Sequence, residues 1–226
     1  MKKLCLKTIA LTGVLLALTA CNGEKPAAPS ASTLPAAAEV KTSKADLSPC
    51  EVLSDDVIRR HFDTADAELT RKQSRYSDDP LCTVSWPKPN AAELEQQRAQ
   101  AMSDYMTRKM RGESVERPSL RTTNEVTLTI AKTDFESAER ALESFDGAMR
   151  VLSEGMTVKT DRGEMKSPTY ELQPVTGVGA RAMWAAGLSQ LSVVTDDRIF
   201  HVGVVTGSES DQEKAKAIAN DIAPSL

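Results

Sequence analysis

The sequence predicts an α+β fold, in which an antiparallel sheet with its helices packed on it forms a single compact domain. The clearest observation is residues 122–131, which alternate through Val126, Leu128 and Ile130 as in a half-buried strand. Near the C-terminus, four short extended segments follow one another, and Asp196-Asp197 fits the tight turn of a hairpin. The predicted order is helix, two strands, helix, strand, helix, antiparallel strands, helix, which is typical of α+β domains.

The first helix is predicted from Ser54 to about Phe62. Ser54 is a good N-cap, the acidic pair at 55–56 suits the positive end of a helix, and the arginine pair at 59–60 suits the negative end. Extended segments are predicted next at about Glu68–Tyr76 and Leu81–Trp86, and Pro87 and Pro89 end the second of them.

A long helix is predicted from Asn90 and Glu93, which fit a capping box, to about Arg111, with Gly112 as its terminator. Its apolar residues lie on one stripe: Leu94, Met102, Tyr105, Met106 and Met110. Such a stripe predicts burial in the core. The alternative is a copper site, since three thioethers at every fourth position could bind Cu(I).

A third helix, at about 134–153, is predicted from Thr133 and Glu136, with an apolar face that includes Phe145 and Met149. Strands are predicted at about Tyr170–Val175, Arg181–Ala186, Leu188–Thr195 and Arg198–Thr206, and a last helix at about Ser210–Ile222.

The N-terminus predicts export. Three lysines precede an apolar run, Ile9 to Leu18, that is too short to span a bilayer, and small residues follow it. Leu18-Thr19-Ala20-Cys21 resembles the lipobox of bacterial lipoproteins, which implies a signal peptide at 1–20 and lipidation of Cys21. By the same resemblance, Asn22 favours the outer membrane. Residues 21–46 are rich in Pro, Ala and Ser and predict a flexible tether before a globular domain at 47–226.

The net charge limits the partners that we expect, and the number of cysteines limits the kinds of cysteine site. The net charge of −4 becomes −7 without residues 1–20, which contain three lysines and no acid. An acidic chain does not attract the negative charge of nucleic acid or anionic lipid, so we expect neither as a partner. Cys50 and Cys82 remain as a pair in an oxidising compartment and predict a disulfide, with two free thiols or a metal pair as alternatives.

No catalytic or cofactor motif emerges. Gly177, Gly179 and Ala182 match a lone G-x-G-x-x-A, but a tight turn into a strand explains them better than a dinucleotide site. His61 fits a helix end, and His201 is expected on the wetter side of the last hairpin. The acidic runs at 77–80 and 196–197 lack the spaced oxygens of a calcium loop and predict solvated turns. We therefore expect no cofactor, no resident metal and no enzymatic activity.

Three landmarks together resemble a large group of bacterial envelope lipoproteins of unknown function, common in actinobacteria. That group shows P-C-x-L-L, then C-x-W, then G-V-G-x-x-A. The corresponding residues here are Pro49-Cys50-Glu51-Val52-Leu53, Cys82-Thr83-Val84-Ser85-Trp86 and Gly177-Val178-Gly179-Ala180-Arg181-Ala182, with three residues rather than one between the cysteine and the tryptophan. The resemblance implies a small α+β sandwich, a disulfide between the first and second segments, and no established catalytic site.

The functional expectation is a membrane-anchored, non-enzymatic module that binds another envelope protein as an adaptor, assembly factor or immunity factor. The alternative is a lipoprotein that binds a small ligand or copper, through an apolar pocket or through Met102, Met106 and Met110. An enzyme that uses His61 or His201 is the third possibility.

Overall fold

A seven-stranded antiparallel sheet forms the centre of the computed structural model, which describes residues 48–64, 66–132, 135–161 and 163–226. The strand order is β1-β2-β3-β9-β8-β7-β6. The strands of this sheet are β1 Thr70–Tyr76, β2 Asp79–Pro87, β3 Thr123–Ile130, β6 Leu172–Val175, β7 Arg181–Ala185, β8 Gln190–Val194 and β9 Ile199–Val205. A separate two-stranded hairpin consists of β4 Thr157–Thr160 and β5 Gly163–Lys166.

Five helices accompany the sheet in the described part of the chain, and they use its two faces differently. They are α1 Pro49–Val52, α2 Asp55–His61, α3 Ala91–Met110, α4 Ala138–Glu154 and α5 Asp211–Ile222. Residues of α2 and α5 bury their apolar sides in the main core, on one face of the sheet. Helix α4 packs on the other face, where Ala141, Phe145 and Met149 meet Val194 and Ile199. The result is the α+β antiparallel architecture that the sequence predicts.

The main core follows from the period-two pattern of the strands. Val126 and Leu128 of β3 pair with Val204 and Val202 of β9, and all four side chains are fully buried. Neighbouring residues point to the opposite face, so Thr127 lies beside Gly203 and Thr129 beside His201. One face is therefore aliphatic, while the other carries threonines and a histidine.

Cys50 and Cys82 form a disulfide that joins α1 to β2, with Cα atoms 5.0 Å apart. The prediction of this bond is confirmed, and the alternatives of free thiols or a metal pair are wrong. Arg71 of β1 supports the same corner, because its guanidinium donates to the carbonyls of Cys50 and Leu53 and pairs with Asp55 at the start of α2.

Most predicted elements are confirmed within a few residues. The Ser54 hydroxyl accepts a hydrogen bond from the Val57 backbone N–H at 3.3 Å, as expected of an N-cap. Gly177 and Gly179 have positive φ angles of 79° and 56° in the turn before β7. Both acidic runs lie at turns, one between β1 and β2 and the other between β8 and β9.

The third predicted helix begins later than expected. Thr133, its proposed cap, lies outside the described residues, and α4 begins at Ala138 with Ser137 as its N-cap. The Ser137 hydroxyl accepts from the backbone N–H of Arg140 at 3.3 Å. The hairpin of β4 and β5 was not predicted.

The predicted core position of the long helix is wrong. Helix α3 runs from Ala91 to Met110 as expected, yet none of its residues is buried. Met106 and Met110 are 52% and 79% exposed, and only Leu94, Met102 and Tyr105 of the predicted stripe are half-buried. Asn90 is the N-cap residue, but its side chain makes no capping hydrogen bond.

The predicted signal peptide, the lipidated Cys21 and the tether at 21–46 lie outside the described residues and stay predictions, as does the exact start of the domain. Among the described helices, none is long and apolar enough to cross a membrane.

Candidate functional site

An arm, residues 88–122, interrupts two strands that are direct neighbours in the sheet. Pro87 at the end of β2 pairs with Thr123 at the start of β3, a position where a short hairpin turn would suffice. The arm's two ends meet, since the Lys88 backbone N–H donates to the Thr122 carbonyl at 3.0 Å. The arm is therefore an insertion that the sheet itself does not require.

The arm's length follows from its secondary structure. Twenty helical residues rise about 30 Å, so α3 carries the chain about that far from its start. The return segment, residues 112–122, has eleven residues, which reach about 36–40 Å when fully extended. The return must therefore run nearly straight beside the helix, and Glu113, Val115 and Pro118 in it are half-buried. Half-buried residues thus occur on both sides of the arm: Leu94, Met102 and Tyr105 on α3, and these three on the return.

The far end of the arm is apolar and basic. Met106 and Met110 expose their side chains there, next to Arg108, Lys109 and Arg111. Arg108 pairs with Glu113 across the turn at 2.7 Å. We call residues 106–113 the arm tip. It holds three basic residues and one acidic residue in a chain whose net charge is negative.

A second candidate site is a groove between α4 and the polar face of the sheet. Its volume is about 640 Å³, within the range of about 300–1,000 Å³ that is usual for small-ligand pockets. Its apolar lining consists of Leu81, Ala148, Met149, Val151, Leu152 and Leu188. Threonines 127 and 129, Gln190 and His201 supply polar groups, and Tyr76 and Asp79 stand at the β1–β2 turn.

His201 is held at the groove by a buried partner. Its Nδ1 lies 2.9 Å from the hydroxyl of Ser192, which is 2% exposed. Burial lowers the pKa of His201 below its ordinary value of 6.5, and the carboxylate of Asp79 opposes this shift. The expectation of a wetter position is confirmed: the side chain faces away from the main core and is half-buried, whereas Phe200, Val202 and Val204 in the same strand are fully buried.

The imidazole of His201 is neutral at pH 7 and can donate or accept one hydrogen bond toward a ligand. Ser192 is too deeply buried to meet a substrate in this arrangement. The pair therefore fixes the orientation of the ring, and the geometry favours binding through the imidazole.

His61 has a different environment, on the opposite side of the sheet. It ends α2, and its Nε2 lies 2.8 Å from the Asp221 carboxylate of α5. Arg60 reaches the same carboxylate, also at 2.8 Å. These contacts join two helices, so the two histidines do not combine into one site.

Within the described residues, no group of three or more His, Cys, Asp or Glu side chains is placed to hold a metal. Met102, Met106 and Met110 do lie along α3, the last two exposed, so copper binding by these thioethers stays a prediction.

Met106 and Met110 were predicted as core residues or copper ligands rather than as a contact surface, and the residues of the predicted apolar pocket were not named. The arm looked like a core helix, and the groove exists only after β8, β9 and α4 come together. The sequence does contain one indication of the arm. Pro87 and Pro89 end a strand, and the long helix that follows them is mostly polar, with few large apolar residues to bury.

No protein-family model, curated protein or solved structure matches this chain. The resemblance to envelope lipoproteins therefore stays a prediction, and function is argued from the two sites.

Proposed function

We propose that this protein is a lipid-anchored lipoprotein of the cell envelope that binds an acidic surface of another envelope protein through its arm tip. The observation that carries the proposal is the arm itself. A 20-residue helix that buries none of its residues holds Met106 and Met110 in solvent, away from the main core.

Exposed methionines suit a contact surface. The thioether side chain is flexible and polarizable, so it adapts to irregular apolar depressions on a partner. Burying one such side chain contributes roughly 1.5–3 kcal/mol, which is at least tenfold in affinity.

The charge of the arm tip favours an acidic partner. Lys109 and Arg111 are exposed beside the methionines, and complementary charge speeds association and selects among partners. We expect binding to weaken as salt rises, since these charges are accessible to solvent.

The predicted anchor supports the same role. A tether of about 25 residues reaches on the order of 25–30 Å as a flexible coil, which keeps the domain close to the membrane. Holding an arm there raises its effective concentration toward other envelope proteins without any new contact. No catalytic motif in the sequence suggests an enzymatic role instead.

The test compares two matched pairs of methionines. Proteins captured from envelope extracts by the full chain are identified, and the candidate is then purified for direct affinity measurement. Met106→Ser with Met110→Ser should lower the affinity at least tenfold. Met156→Ser with Met165→Ser is the control, because these two methionines are also exposed, at 51% and 65%, but lie at the hairpin of β4 and β5.

A second variant removes the arm. Replacing residues 88–122 with Asn-Gly joins β2 to β3 through a two-residue turn, because Pro87 and Thr123 already face each other. We expect the variant to fold, by circular dichroism and cooperative unfolding, and to lose the partner. A partner that still binds the armless protein, or an arm that binds only anionic vesicles, would overturn the proposal.

A further inference from the structure

We propose that the groove between α4 and the sheet binds a cationic amphiphile, a molecule with an apolar body of alkyl-chain type and an amine or quaternary ammonium head. The observation is the juxtaposition of an apolar cleft of about 640 Å³ with a single carboxylate, Asp79, and an exposed aromatic ring, Tyr76, at one end.

The apolar body is defined by the side chains on both walls. Helix α4 contributes Met149, Val151 and Leu152, and the opposite side contributes Leu81 and Leu188. Val151 is 43% exposed although it lies on the face that lines the groove, so apolar surface remains open to water there. Covering that surface with an alkyl chain is favourable in proportion to its area.

Strand β9 carries a glycine beside Thr127, one of the residues that line the groove. Gly203 pairs with Thr127, and a Cβ at position 203 would collide with the Thr127 hydroxyl. Gly203 therefore leaves space for the Thr127 side chain, which lines the groove. His201 and Gln190 beside it offer neutral hydrogen-bonding groups, which tolerate a polar linkage near the head.

The charge of the lining selects the sign of the head group. Among the described residues that line the groove there is no lysine or arginine, and Asp79 is the only acidic residue. One oxygen of Asp79, Oδ1, accepts a hydrogen bond from the Lys132 backbone N–H at 3.0 Å. The second oxygen can receive an ammonium group, whereas a carboxylate or phosphate head would face this carboxylate without a counter-charge.

Tyr76 also favours a cationic head group. Its side chain is 73% exposed at the mouth of the groove, so its ring is available to a cation. A quaternary ammonium over an aromatic face is a recurring mode of recognition. The end of the groove near the β1–β2 turn is thus suited to a cationic head, and the α4 wall to the tail.

The test measures binding of dodecyltrimethylammonium below its micelle concentration by calorimetry. The protein is the mature chain, residues 21–226, with Cys21→Ser, so that neither a lipid nor a detergent occupies the groove. Dodecyl sulfate is the probe of opposite charge with the same tail. We expect a single site for the cation, with the anion at least tenfold weaker.

Two matched pairs of variants locate the site. Asp79→Asn keeps the acceptor for the Lys132 N–H and should weaken the cation about tenfold, whereas Asp78→Asn makes the same charge change one residue outside the lining and should leave the affinity within twofold. Val151→Ser should weaken both probes severalfold. Val158→Ser is its control, because Val158 is 42% exposed but lies in β4.

Equal affinity for the two probes, or an unchanged affinity in Asp79→Asn, would overturn the assignment of the head group. No saturable binding, in a protein that unfolds cooperatively, would overturn the site. The arm takes no part in this measurement, so its outcome is independent of the proposed partner.

Discussion

Removing the Cys50–Cys82 disulfide should destabilise the domain by about 3.7 kcal/mol at 25 °C. The bond closes a loop with a sequence separation of 32, and the chain-entropy relation for a loop of that size gives the estimate of about 3.7 kcal/mol. For a domain of this size, the loss corresponds to a fall in melting temperature of about 7–15 °C.

Urea unfolding followed by tryptophan fluorescence measures this effect. Trp86 and Trp184 are 4% and 6% exposed, so unfolding changes the surroundings of both indoles. The chain carries Cys21→Ser, and the oxidised and reduced proteins are compared. Reduction keeps both sulfur atoms, so it separates the loss of the bond from the loss of side-chain packing around the buried Cys82.

The reduced protein should also show a steeper dependence on urea, because an unfolded chain without the cross-link exposes more surface. Cys50→Ala with Cys82→Ala is the control and must not respond to the reductant. A loss below about 1 kcal/mol on reduction would refute the reasoning, since it would mean that the reduced unfolded chain is already held together in this region.

The remaining predictions concern a turn and the buried histidine. Gly179→Ala should lower the free energy of unfolding by about 1–3 kcal/mol more than Gly112→Ala does. Both glycines have a positive φ, so both substitutions strain the backbone. Only at Gly179, however, would the new Cβ lie 2.5 Å from a backbone oxygen, that of Val194. Burial lowers the pKa of His201 below the 6.5 of an unfolded chain, so the unfolded state binds more protons and stability falls as pH drops below 6.5 toward the folded-state pKa. The stability of His201→Gln, measured by urea unfolding between pH 7.5 and 5, should therefore fall less on acidification than that of the wild type, and parallel curves would contradict the burial of the imidazole.

Local patterns were sufficient for most of the sheet. The alternation through Val126 and Leu128 places the right side chains in the core, because a strand's period of two leaves only one way to bury them. The Asp196-Asp197 pair predicted the last hairpin because acidic residues favour a tight turn between two adjacent strands. Pairing between β3 and β9, however, joins segments that no local pattern connects.

The wrong expectation for α3 has a clear physical cause. A stripe such as Met102, Met106 and Met110 shows that one face of a helix can be buried, but it does not show that a partner is present. Here Met102 is only half-buried, and Met106 and Met110 are exposed at the arm tip. The start of α4 was ambiguous in the same way, since Thr133 and Ser137 are both acceptable caps and tertiary packing chooses between them.

The groove could not be predicted because its walls are distant in sequence. Leu81, Leu152 and His201 become neighbours only through sheet order and the placement of α4. The β4–β5 hairpin lacked a signal for another reason: its residues are exposed on both faces wherever their side chains are described, so burial imposes no alternation.

The position of β9 in the sheet also governs how the chain folds. Strands β1 to β3 form one meander and β6 to β9 another, and the two meet along a single seam between β3 and β9. Across that seam Val126 pairs with Val204, almost eighty residues later in the chain. Closing so long a connection is slow compared with forming hairpins. The first meander therefore has no partner for its inner strand, and no α5 to cover it, until the C-terminal quarter of the protein has been made.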